Sequence, residues 1–588
     1  MYDLKITDGL IYDGEGGAPY PANIAVKDGV IVEVGSCDGS ARQTVDAKGA
    51  IVTPGFIDLH THYDGQISWD EEMQPSVNHG VTTVVMGNCG VGFAPLRKGE
   101  QDKLIKLMEG VEDIPGSALA EGVGFNWESF PEYMDAIDAI PHTIDFAVMV
   151  PHDPLRMYVM GERAIAEETA TDADIAQMQA LTREAVEAGA VGFSTGRSDF
   201  HRTSDGDWTP SSEAAPSELV GIAKALNGLD HGVLHAVNDF NQERKGDQFD
   251  EEFDILEQFF AAAPGHKSSM TWMQRDMVPD HWKRIATRTE ALQKKGVDLK
   301  LQAAPRAIGV FLGLQSTFHP LMAFPSYIEI SELPFDERLA ILRSPGMKEK
   351  MLAETPVKLA GPGTSIPPMT DSMIAMTEML SAKMFRLSPD GSEKLDYEQA
   401  YENSAHAESQ RKGESVWSVL YDWLIEGDGK SMIYFPAYNY TDMNYNAVHE
   451  MISHPLALPG LSDGGAHVGF ICDASFPTYL LSYWTRDRKD KKISLARAVQ
   501  MLTADGADYI GFKDRGRLKA GMKADINVIE YKTLDLKTPK MVQDLPAGGQ
   551  RLLQPVTGYR ATFVAGEQVI ANDQLTKARP GHLVRVGQ

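Results

Sequence analysis

Alternating apolar and polar residues at both ends of the chain indicate short β-strands. Apolar and polar residues alternate in the segment 3–13, and the segment 24–35 repeats a similar pattern around Asp28 and Gly29. This period of two is typical of a strand with one buried face, and the Asp-Gly pair inside each segment is a signal for a tight turn. The same pattern returns at 524–530. The two β-rich ends suggest one small sheet domain assembled from both termini, residues 1–54 and 510–588, with two unrelated β caps as the alternative.

The middle of the chain alternates short apolar runs with segments of helical periodicity, such as 172–187 and 216–226. The apolar runs occupy 51–59, 81–86, 144–150, 190–194, 232–235, 269–273 and 297–302. Alternation on this scale is typical of an α/β fold whose parallel sheet is covered by helices on both faces, and the chain length favours a closed (β/α)8 TIM-like barrel over 55–509. An open doubly wound sheet is the alternative, but no Gly-x-Gly-x-x-Gly follows the first strand, which disfavours a dinucleotide site.

The alternation stops between about 305 and 446. The run Gly-Pro-Gly-Thr-Ser-Ile-Pro-Pro at 361–368 and the polar stretch 388–414 predict an inserted segment of helices and loops. Insertions on a barrel commonly cover the site as a lid, and a plain surface elaboration is the alternative.

Composition and charge exclude several classes of protein. The chain has 55 basic and 83 acidic residues and a net charge of −28, which would repel nucleic acid or an anionic membrane surface. Its three cysteines are too few for a disulfide-built secreted scaffold, and we interpret Cys37 and Cys472 as structural. No apolar run reaches the about 18 residues of a membrane span, and no signal peptide is visible. We expect a soluble, cytoplasmic protein.

The strongest chemical signal is the segment Gly-Phe-Ile-Asp-Leu-His-Thr-His that ends in His60 and His62. Residues two apart on a strand project to the same side, so both rings would enter the mouth of the barrel if this is its first strand. Two converging imidazoles are half of a typical first-row metal site. Asp58 is a candidate partner for a ring N–H. A pair of ordinary strand-end histidines is the alternative.

Several segments resemble a known family. The segment 54–62 resembles the opening signature of the amidohydrolase superfamily, and 503–529 resembles the closing segment where the chain leaves the barrel. The segment 81–95 resembles the D-aminoacylase branch, the N-acyl-D-amino-acid deacylases. The segments 150–161 and 189–196 are similar to the same branch. The resemblance fails across about 305–446. Elsewhere it implies a metal-dependent hydrolase barrel that carries a small β-sandwich domain built from both termini.

The resemblance also implies a set of metal ligands. They are His60 and His62 on the first strand, Cys89 after the second, His235 on the fifth and Asp463 on the eighth, where the aspartate also moves protons. A thiolate is a good ligand for Zn²⁺, the expected metal, and a bound metal deprotonates the thiol. A packed core histidine is the alternative for His235, and a turn residue is the alternative for Asp463.

Three departures from the branch change this prediction. Alignment on the sixth strand puts Trp272 where the second histidine ligand should be and Gln274 where a lysine should follow, and His266 lies at the wrong end of that strand. The arginine that should follow Asp463 is absent from 469–477, and Arg486 is interpreted as a surface charge. One strongly held metal is therefore favoured over two.

The missing cations also bear on the substrate, because a carboxylate is best held by a guanidinium. A more neutral N-acyl amide, cyclic amide or ester fits better than a free N-acyl-D-amino acid. Trp272 is a candidate apolar wall, with core packing as its alternative. Weaker candidates for contacts to the substrate are His467, Ser194 and Asn88, the last two as hydrogen-bond partners around the site.

We predict the hydrolysis of a non-peptide C–N bond by water that a metal activates, with Asp463 passing the proton of the water to the leaving nitrogen. A deaminase on the same scaffold and a catalytically silent binding protein are the alternatives, because a fold alone does not fix an activity. The expected partner is a small-molecule amide, without nucleic acid or membrane. A homo-oligomer is compatible with the sequence.

Overall fold

Eight parallel strands form a barrel in the computed structural model, which describes residues 1–359, 370–388 and 394–587. The strands are β1 Phe56–Asp58, β2 Val81–Met86, β3 Asp145–Pro151, β4 Gly192–Arg197, β5 Val233–Asn238, β6 Lys267–Trp272, β7 Asp298–Ala303 and β8 Ala457–Pro459. They pair in chain order from β1 to β8. A bridge between Thr61 and Gly464 brings the segments after β1 and β8 together. Most strand residues are buried, as expected for a parallel sheet covered on both faces.

Helices cover the outside of the barrel. They are Gln101–Glu112, Gly116–Gly122, Phe130–Asp138, His152–Met160, Glu162–Ile165, Asp172–Glu187, Pro216–Ala223, Phe249–Ala261, His281–Lys294, Asn446–Ile452, Phe476–Ser482, Leu495–Leu502 and Ala504–Ile510. Capping boxes fix the start of two of them, with Ser129 and Glu132 at one and Thr171 and Asp174 at the other. Among the described residues, no helix combines the length and the apolar composition needed to cross a bilayer.

A nine-stranded sheet combines strands from both ends of the chain. Its strands are Tyr2–Ile11, Tyr20–Lys27, Val30–Gly35, Ala41–Asp46, Ile51–Pro54, Ile526–Ile529, Tyr559–Val564, Glu567–Ala571 and Gln574–Leu575. Ile51–Pro54 lies between Tyr2–Ile11 and Ile526–Ile529, so it joins the two ends. The predicted fold class, a (β/α)8 barrel with a β domain built from both ends, is confirmed. Two further pairs, Asp535–Leu536 with Val556–Thr557 and Lys540–Val542 with Arg551–Leu553, lie in the C-terminal part.

The described part of the insertion between β7 and β8 has a small core of its own. A three-stranded antiparallel sheet contains Gly309–Leu312, Ile433–Pro436 and Phe385–Arg386. Its helices are Pro325–Ile328, Phe335–Leu342, Met347–Leu352, Thr370–Ala375, Thr377–Leu380, Ala405–Lys412 and Val416–Ile425. The predicted loop 361–368 and part of the polar stretch 388–414 lie outside the described residues. The domain boundaries 1–54, 55–509 and 510–588, and the lid at about 305–446, stay predictions.

Candidate metal centre at the barrel mouth

Two histidines lie where β1 reaches the mouth of the barrel. His60 and His62 follow β1, each is 1% exposed, and their ring centroids are 5.4 Å apart. The His60 carbonyl accepts the N–H of Asp463 at 3.2 Å, and the His62 N–H donates to the Gly464 carbonyl at 2.8 Å. Closure of the barrel therefore fixes the backbone of both histidines. Asp58 was a candidate acceptor for a histidine ring N–H, but its carboxylate accepts the backbone N–H of His60 instead.

Cys89 follows β2 and points its sulfur at these histidines. Its Sγ lies 3.3 Å from His60 Nε2 and 3.6 Å from His62 Nε2. One ligand atom from each of the three residues lies within 4.8 Å of the other two. The structure therefore brings Cys89 into contact with two histidines that precede it by 29 and 27 positions in the sequence.

The loop that carries Cys89 is held from β4. The Ser194 hydroxyl donates to the Gly87 carbonyl and accepts the Gly90 N–H at 3.2 Å. The Asn88 amide donates to the Val85 carbonyl at 2.9 Å. Ser194 and Asn88 are completely buried, and their part as hydrogen-bond partners around the site, with contacts to the substrate, stays a prediction. They position the cysteine loop, because all their hydrogen bonds go to its backbone and to that of neighbouring segments.

His235 and Asp463 complete the cluster. The His235 ring centroid lies 5.2 Å from that of His60. Its Nδ1 contacts the Ser269 hydroxyl at 2.8 Å, and its Nε2 is buried without a hydrogen-bond partner among the described residues. Asp463 Oδ1 lies 3.4 Å from His60 Nε2 and 3.8 Å from His62 Nε2. All five residues that the resemblance implied as ligands therefore lie at the mouth, and the ligand atoms of His60, His62 and Cys89 lie within 4.8 Å of one another.

A buried polar network behind the cluster orients His60. Its Nδ1 contacts Gln302 Oε1 at 2.8 Å, so this nitrogen carries the proton and Nε2 presents its lone pair to Cys89. The Gln302 amide donates to the Ser269 hydroxyl at 3.2 Å, which also accepts the Tyr509 hydroxyl at 2.7 Å. Sequence reasoning missed Gln302 and Ser269, which carry no motif of their own.

Glu112 and two further histidines surround His62. Glu112 Oε1 lies 3.3 Å from His62 Nδ1, and its Oε2 lies 3.6 Å from His467 Nε2. His467 is 23% exposed at the mouth, where the sequence placed it. Burial, with a smaller contribution from His60, lowers the pKa of His201, which follows β4, to about 4. Sequence reasoning missed Glu112 and His201.

Trp272 does not line the mouth. Its indole N–H donates to the Trp282 carbonyl at 2.7 Å, and its ring packs against Trp282 and His454 in the helical layer. The predicted apolar wall at Trp272 is therefore wrong. Side chains of a strand alternate between faces, so an alignment displaced by one residue moves a side chain from the barrel interior to the helices. The next residue, Met273, packs at the mouth with Leu461.

The sixth strand also supplies a cation that the sequence analysis did not count. Gln274 turns its amide to Asp442 at 3.1 Å, whereas Arg275 is buried, 7% exposed, at the carboxyl end of β6. One guanidinium nitrogen of Arg275 donates to the Asn238 carbonyl at 2.9 Å, and its Nε is buried without a partner among the described residues. Burial lowers the pKa of Arg275, while Tyr438 and Asp239 oppose this effect.

Comparison with known proteins identifies the family. A sequence profile described as the amidohydrolase family matches residues 43–356 and 431–570, which together are more than half of the chain. The chain belongs to the amidohydrolase family. The ligand cluster and the barrel that holds it both lie within the matched segments.

This amidohydrolase is 33% identical to a D-aminoacylase of Alcaligenes xylosoxydans xylosoxydans over 238 residues, 40% of this chain and 44% of that protein. It is 26% identical to an N-acyl-D-aspartate deacylase of the same organism over 586 residues, 100% of this chain and 95% of that protein. A D-aminoacylase crystal structure superposes with a TM-score of 0.63 at 21% identity. A Bordetella bronchiseptica N-acyl-D-glutamate deacylase, complexed with zinc and a phosphonate inhibitor, superposes with a TM-score of 0.61 at 23% identity. Each superposition covers 100% of both chains and shows a shared fold.

Burial controls the protonation of the cluster in this amidohydrolase. It lowers the pKa of His60 to about 4 and those of His62 and His235 well below their ordinary value. It raises the pKa of Asp463 to about 7 and that of the Cys89 thiol well above its ordinary value. The histidines are therefore neutral, as metal ligands must be, while the thiol needs a nearby cation to ionise.

The residues at the mouth fit a divalent metal. Three neutral imidazoles, one thiol and one carboxylate are the donor types that Zn²⁺ prefers. The Nε2 of His235 is buried without a partner among the described residues, which a buried polar atom tolerates poorly unless an ion or water meets it. The ring nitrogens of His60 and His235 that face away from the cluster are already engaged by Gln302 and Ser269, as is common behind metal ligands.

Proposed function

We propose that this amidohydrolase cleaves the C–N bond of a small, non-peptide amide with water that a divalent metal activates. The observation that carries the proposal is the convergence of five ligand-type side chains at the carboxyl ends of barrel strands, where the active sites of this architecture lie. The five are His60, His62, Cys89, His235 and Asp463. The relatives named as deacylases support the same class of reaction.

We propose Zn²⁺ as the metal, with one ion per chain favoured over two. His60, His62, Cys89, His235 and Asp463 would hold it, and the segment 267–274 offers no histidine as a further ligand. A metal held there would lower the pKa of a water molecule toward neutrality and polarise the carbonyl of the substrate. The zinc in the Bordetella bronchiseptica deacylase supports the choice of metal.

Asp463 is the residue that we propose to move the proton. Its Oδ1 is the carboxylate oxygen that faces the histidines, and burial raises its pKa to about 7. A carboxylate within reach of the water and of the leaving group can accept a proton from one and return it to the other. Asp463 would accept the proton of the attacking water and donate it to the leaving nitrogen, which departs poorly without protonation.

An apolar wall at the mouth favours a neutral substrate. Met273, Ile308, Leu461 and Ile471 form one buried cluster, with Phe470 at its edge. Leu461 is two residues before Asp463, so this wall lies beside the proposed proton carrier. Apolar walls with few polar groups are typical of small-molecule pockets, and they suit the acyl chain or ring of a neutral N-acyl or cyclic amide.

Arg275 favours a second candidate, an N-acyl amino acid with a free carboxylate. Its guanidinium makes one hydrogen bond within the described residues and keeps a buried Nε unpaired. A buried cation at the rim is suited to a carboxylate of the substrate. Asp239 offsets part of this charge. Burial raises the pKa of its carboxyl group and Arg275 opposes this effect, which leaves the pKa at about 6. This offset keeps the neutral amide as the first candidate.

Metal analysis with a substrate screen tests the proposed function. We expect purified protein to carry about one equivalent of zinc and to hydrolyse neutral N-acyl or cyclic amides with release of the amine or acid. Asp463→Asn should lower kcat by about 10²-fold to 10⁴-fold, the usual contribution of a positioned acid-base group. Ammonia release from an amine-bearing ring would indicate a deaminase instead. Metal-free protein without turnover of any amide would indicate a binding protein.

Arg275→Gln separates the two substrate candidates. If a carboxylate is bound by Arg275, KM for N-acyl amino acids rises by about 10-fold or more, as expected for loss of a charge-assisted hydrogen bond of about 1.5–3 kcal/mol. KM for neutral amides should change little. Arg486→Gln is the matched control, because the Arg486 guanidinium pairs with Asp487 and the Tyr531 carbonyl away from the mouth. Robust wild-type turnover of N-acetyl-D-methionine would contradict the neutral-substrate candidate.

A further inference from the structure

A buried carboxylate without a hydrogen-bond partner lies beside the proposed metal ligands. Glu112 is 1% exposed, and its Oε1 has no hydrogen-bond partner among the described residues. It is the last residue of the helix Gln101–Glu112, whose other buried residues are Leu104, Leu107, Met108 and Val111. These positions follow the spacing of an apolar helix face, so Glu112 takes the place of a core residue. Burial of a carboxyl group in such a position is costly without a specific partner.

Two imidazoles lie within ion-pair distance of this carboxyl group. Glu112 Oε1 is 3.3 Å from His62 Nδ1, and Oε2 is 3.6 Å from His467 Nε2. Among the described residues, His62 Nδ1 and Glu112 Oε1 are both buried without a hydrogen-bond partner, and they face each other at this distance. The opposite nitrogen of the same ring, Nε2, faces Cys89 and Asp463. Glu112 therefore contacts the outer side of a ring whose inner side belongs to the ligand cluster.

We propose that Glu112 is a positioning residue that keeps the proton of His62 on Nδ1, so that Nε2 offers its lone pair to the metal, and that holds His467 at the mouth. The inference rests on the proposed function, since it requires a metal at the cluster. In a neutral imidazole the proton sits on the nitrogen that meets an acceptor, and the other nitrogen is then free to bind a metal. Gln302 has the same relation to His60, at 2.8 Å from its Nδ1.

The backbone of Glu112 and the side chain of Asp113 restrain the loop at 467–469 by separate hydrogen bonds. The His467 N–H donates to the Glu112 carbonyl, and the Gly469 N–H donates to Asp113 Oδ2 at 3.2 Å. The Thr317 hydroxyl donates to the same Asp113 oxygen at 3.0 Å. A Cβ on Gly469 would lie 1.7 Å from Thr317 Oγ1, so only glycine allows this approach. Loss of the loop contacts and loss of the Glu112 side chain can therefore be tested separately.

Release of the metal to a chelator tests the role of Glu112. Glu112→Met keeps the length and removes the acceptor, and we expect zinc to leave about 10-fold to 100-fold faster than from the wild type, the usual effect of losing a partner behind a ligand. Glu112→Gln retains an acceptor oxygen and should restore most of the retention. Thr317→Val is the matched control, since it removes the loop hydrogen bond without touching Glu112, and it should release zinc at the wild-type rate.

Cobalt replacement supplies a second measurement that a purely structural role would not change. The visible spectrum of the Co²⁺ protein should shift in Glu112→Met and stay unchanged in Thr317→Val. If Glu112→Met does not fold, Glu112→Asp, which withdraws the carboxylate, should accelerate release in its place. Wild-type release and spectrum in the Glu112 variants, or equal acceleration in Thr317→Val, would overturn the inference. A wild-type protein that binds neither metal would instead overturn the proposed function.

Discussion

At the scale of single residues, the position of the Cys89 sulfur depends on a hydroxyl from another strand. Cys89 has a φ of 55°, in the left-handed region that residues with a side chain seldom adopt. The Ser194 hydroxyl bonds the backbone on both sides of it, at Gly87 and Gly90. Gly196 gives the loop room, since a Cβ there would lie 2.2 Å from the Cys89 carbonyl oxygen. The loop therefore keeps its strained conformation because β4 supplies both contact and space.

Ser194→Ala should lower both the stability of the protein and its affinity for the metal. The substitution leaves the Gly90 N–H and the Gly87 carbonyl without the hydroxyl, and an unpaired buried group costs about 1–3 kcal/mol of stability. We expect a lower unfolding midpoint and faster release of zinc to a chelator. Ser268→Ala is the control, because the Ser268 hydroxyl is buried without a hydrogen-bond partner among the described residues. Equal effects of both substitutions would contradict the role given to Ser194.

The residues near the metal differ in how well the sequence predicted them. The spacing of His60 and His62 placed both rings on one side of the chain, and the structure brings both to the mouth. Gln302 contacts His60 from 242 positions away, and no local pattern reports such a contact. Glu112 could have been predicted from the sequence, because it places an acidic residue on the apolar face of an amphipathic helix. The predicted ligand set stays a prediction until metal is measured.

At the scale of elements, β6 separates stability from function by its two faces. Ser269 faces the polar network behind His235, whereas Trp272 packs outward on Trp282. Met273, beyond the last residue of the strand, returns to the mouth. Sequence periodicity gave the existence of this strand, but a pattern of short apolar runs does not define which residue faces inward. The misplacement of Trp272 follows from that ambiguity.

Substitutions on the two faces of β6 should affect different properties, stability on the outer face and activity on the inner face. Trp272→Phe removes the indole donor to the Trp282 carbonyl and leaves a cavity among the helices, so we expect about 1–3 kcal/mol lower stability with kcat/KM unchanged. Met273→Ala removes part of the wall at the mouth, so kcat/KM for amides with an apolar acyl group should fall. Urea denaturation and steady-state kinetics of both variants check the assignment. A fall in kcat/KM confined to Trp272→Phe would reverse it.

At the scale of the whole molecule, one buried aspartate connects the barrel to the β domain. Asp145 begins β3 at the end of the barrel opposite the mouth, and it is 3% exposed at the side chain. Its Oδ2 accepts Arg515 at 2.5 Å and also the ammonium group of Lys523, and its Oδ1 accepts the His582 N–H at 3.0 Å. The sequence predicted both ends in one domain but not this link, because the partners lie hundreds of residues apart.

Asp145→Asn should destabilise the protein near neutral pH by about 3 kcal/mol, since it removes the buried carboxylate that Arg515 and Lys523 share and leaves them only Asp514 and Asp525. Burial alone would raise the pKa of Asp145, but Lys523 and Arg515 hold it below its ordinary value. A carboxylate with a lowered pKa in the folded state stabilises the protein above its unfolded pKa of about 3.9, and this contribution is lost as the pH falls through the folded pKa. The difference in urea midpoint between the wild type and the variant should therefore become smaller below about pH 4.

Asp514→Asn is the matched control, because Asp514 bonds the same arginine at 2.9 Å but is 52% exposed. This substitution should lower the stability much less. Equal losses in both variants would show that the strength of this link does not depend on its burial.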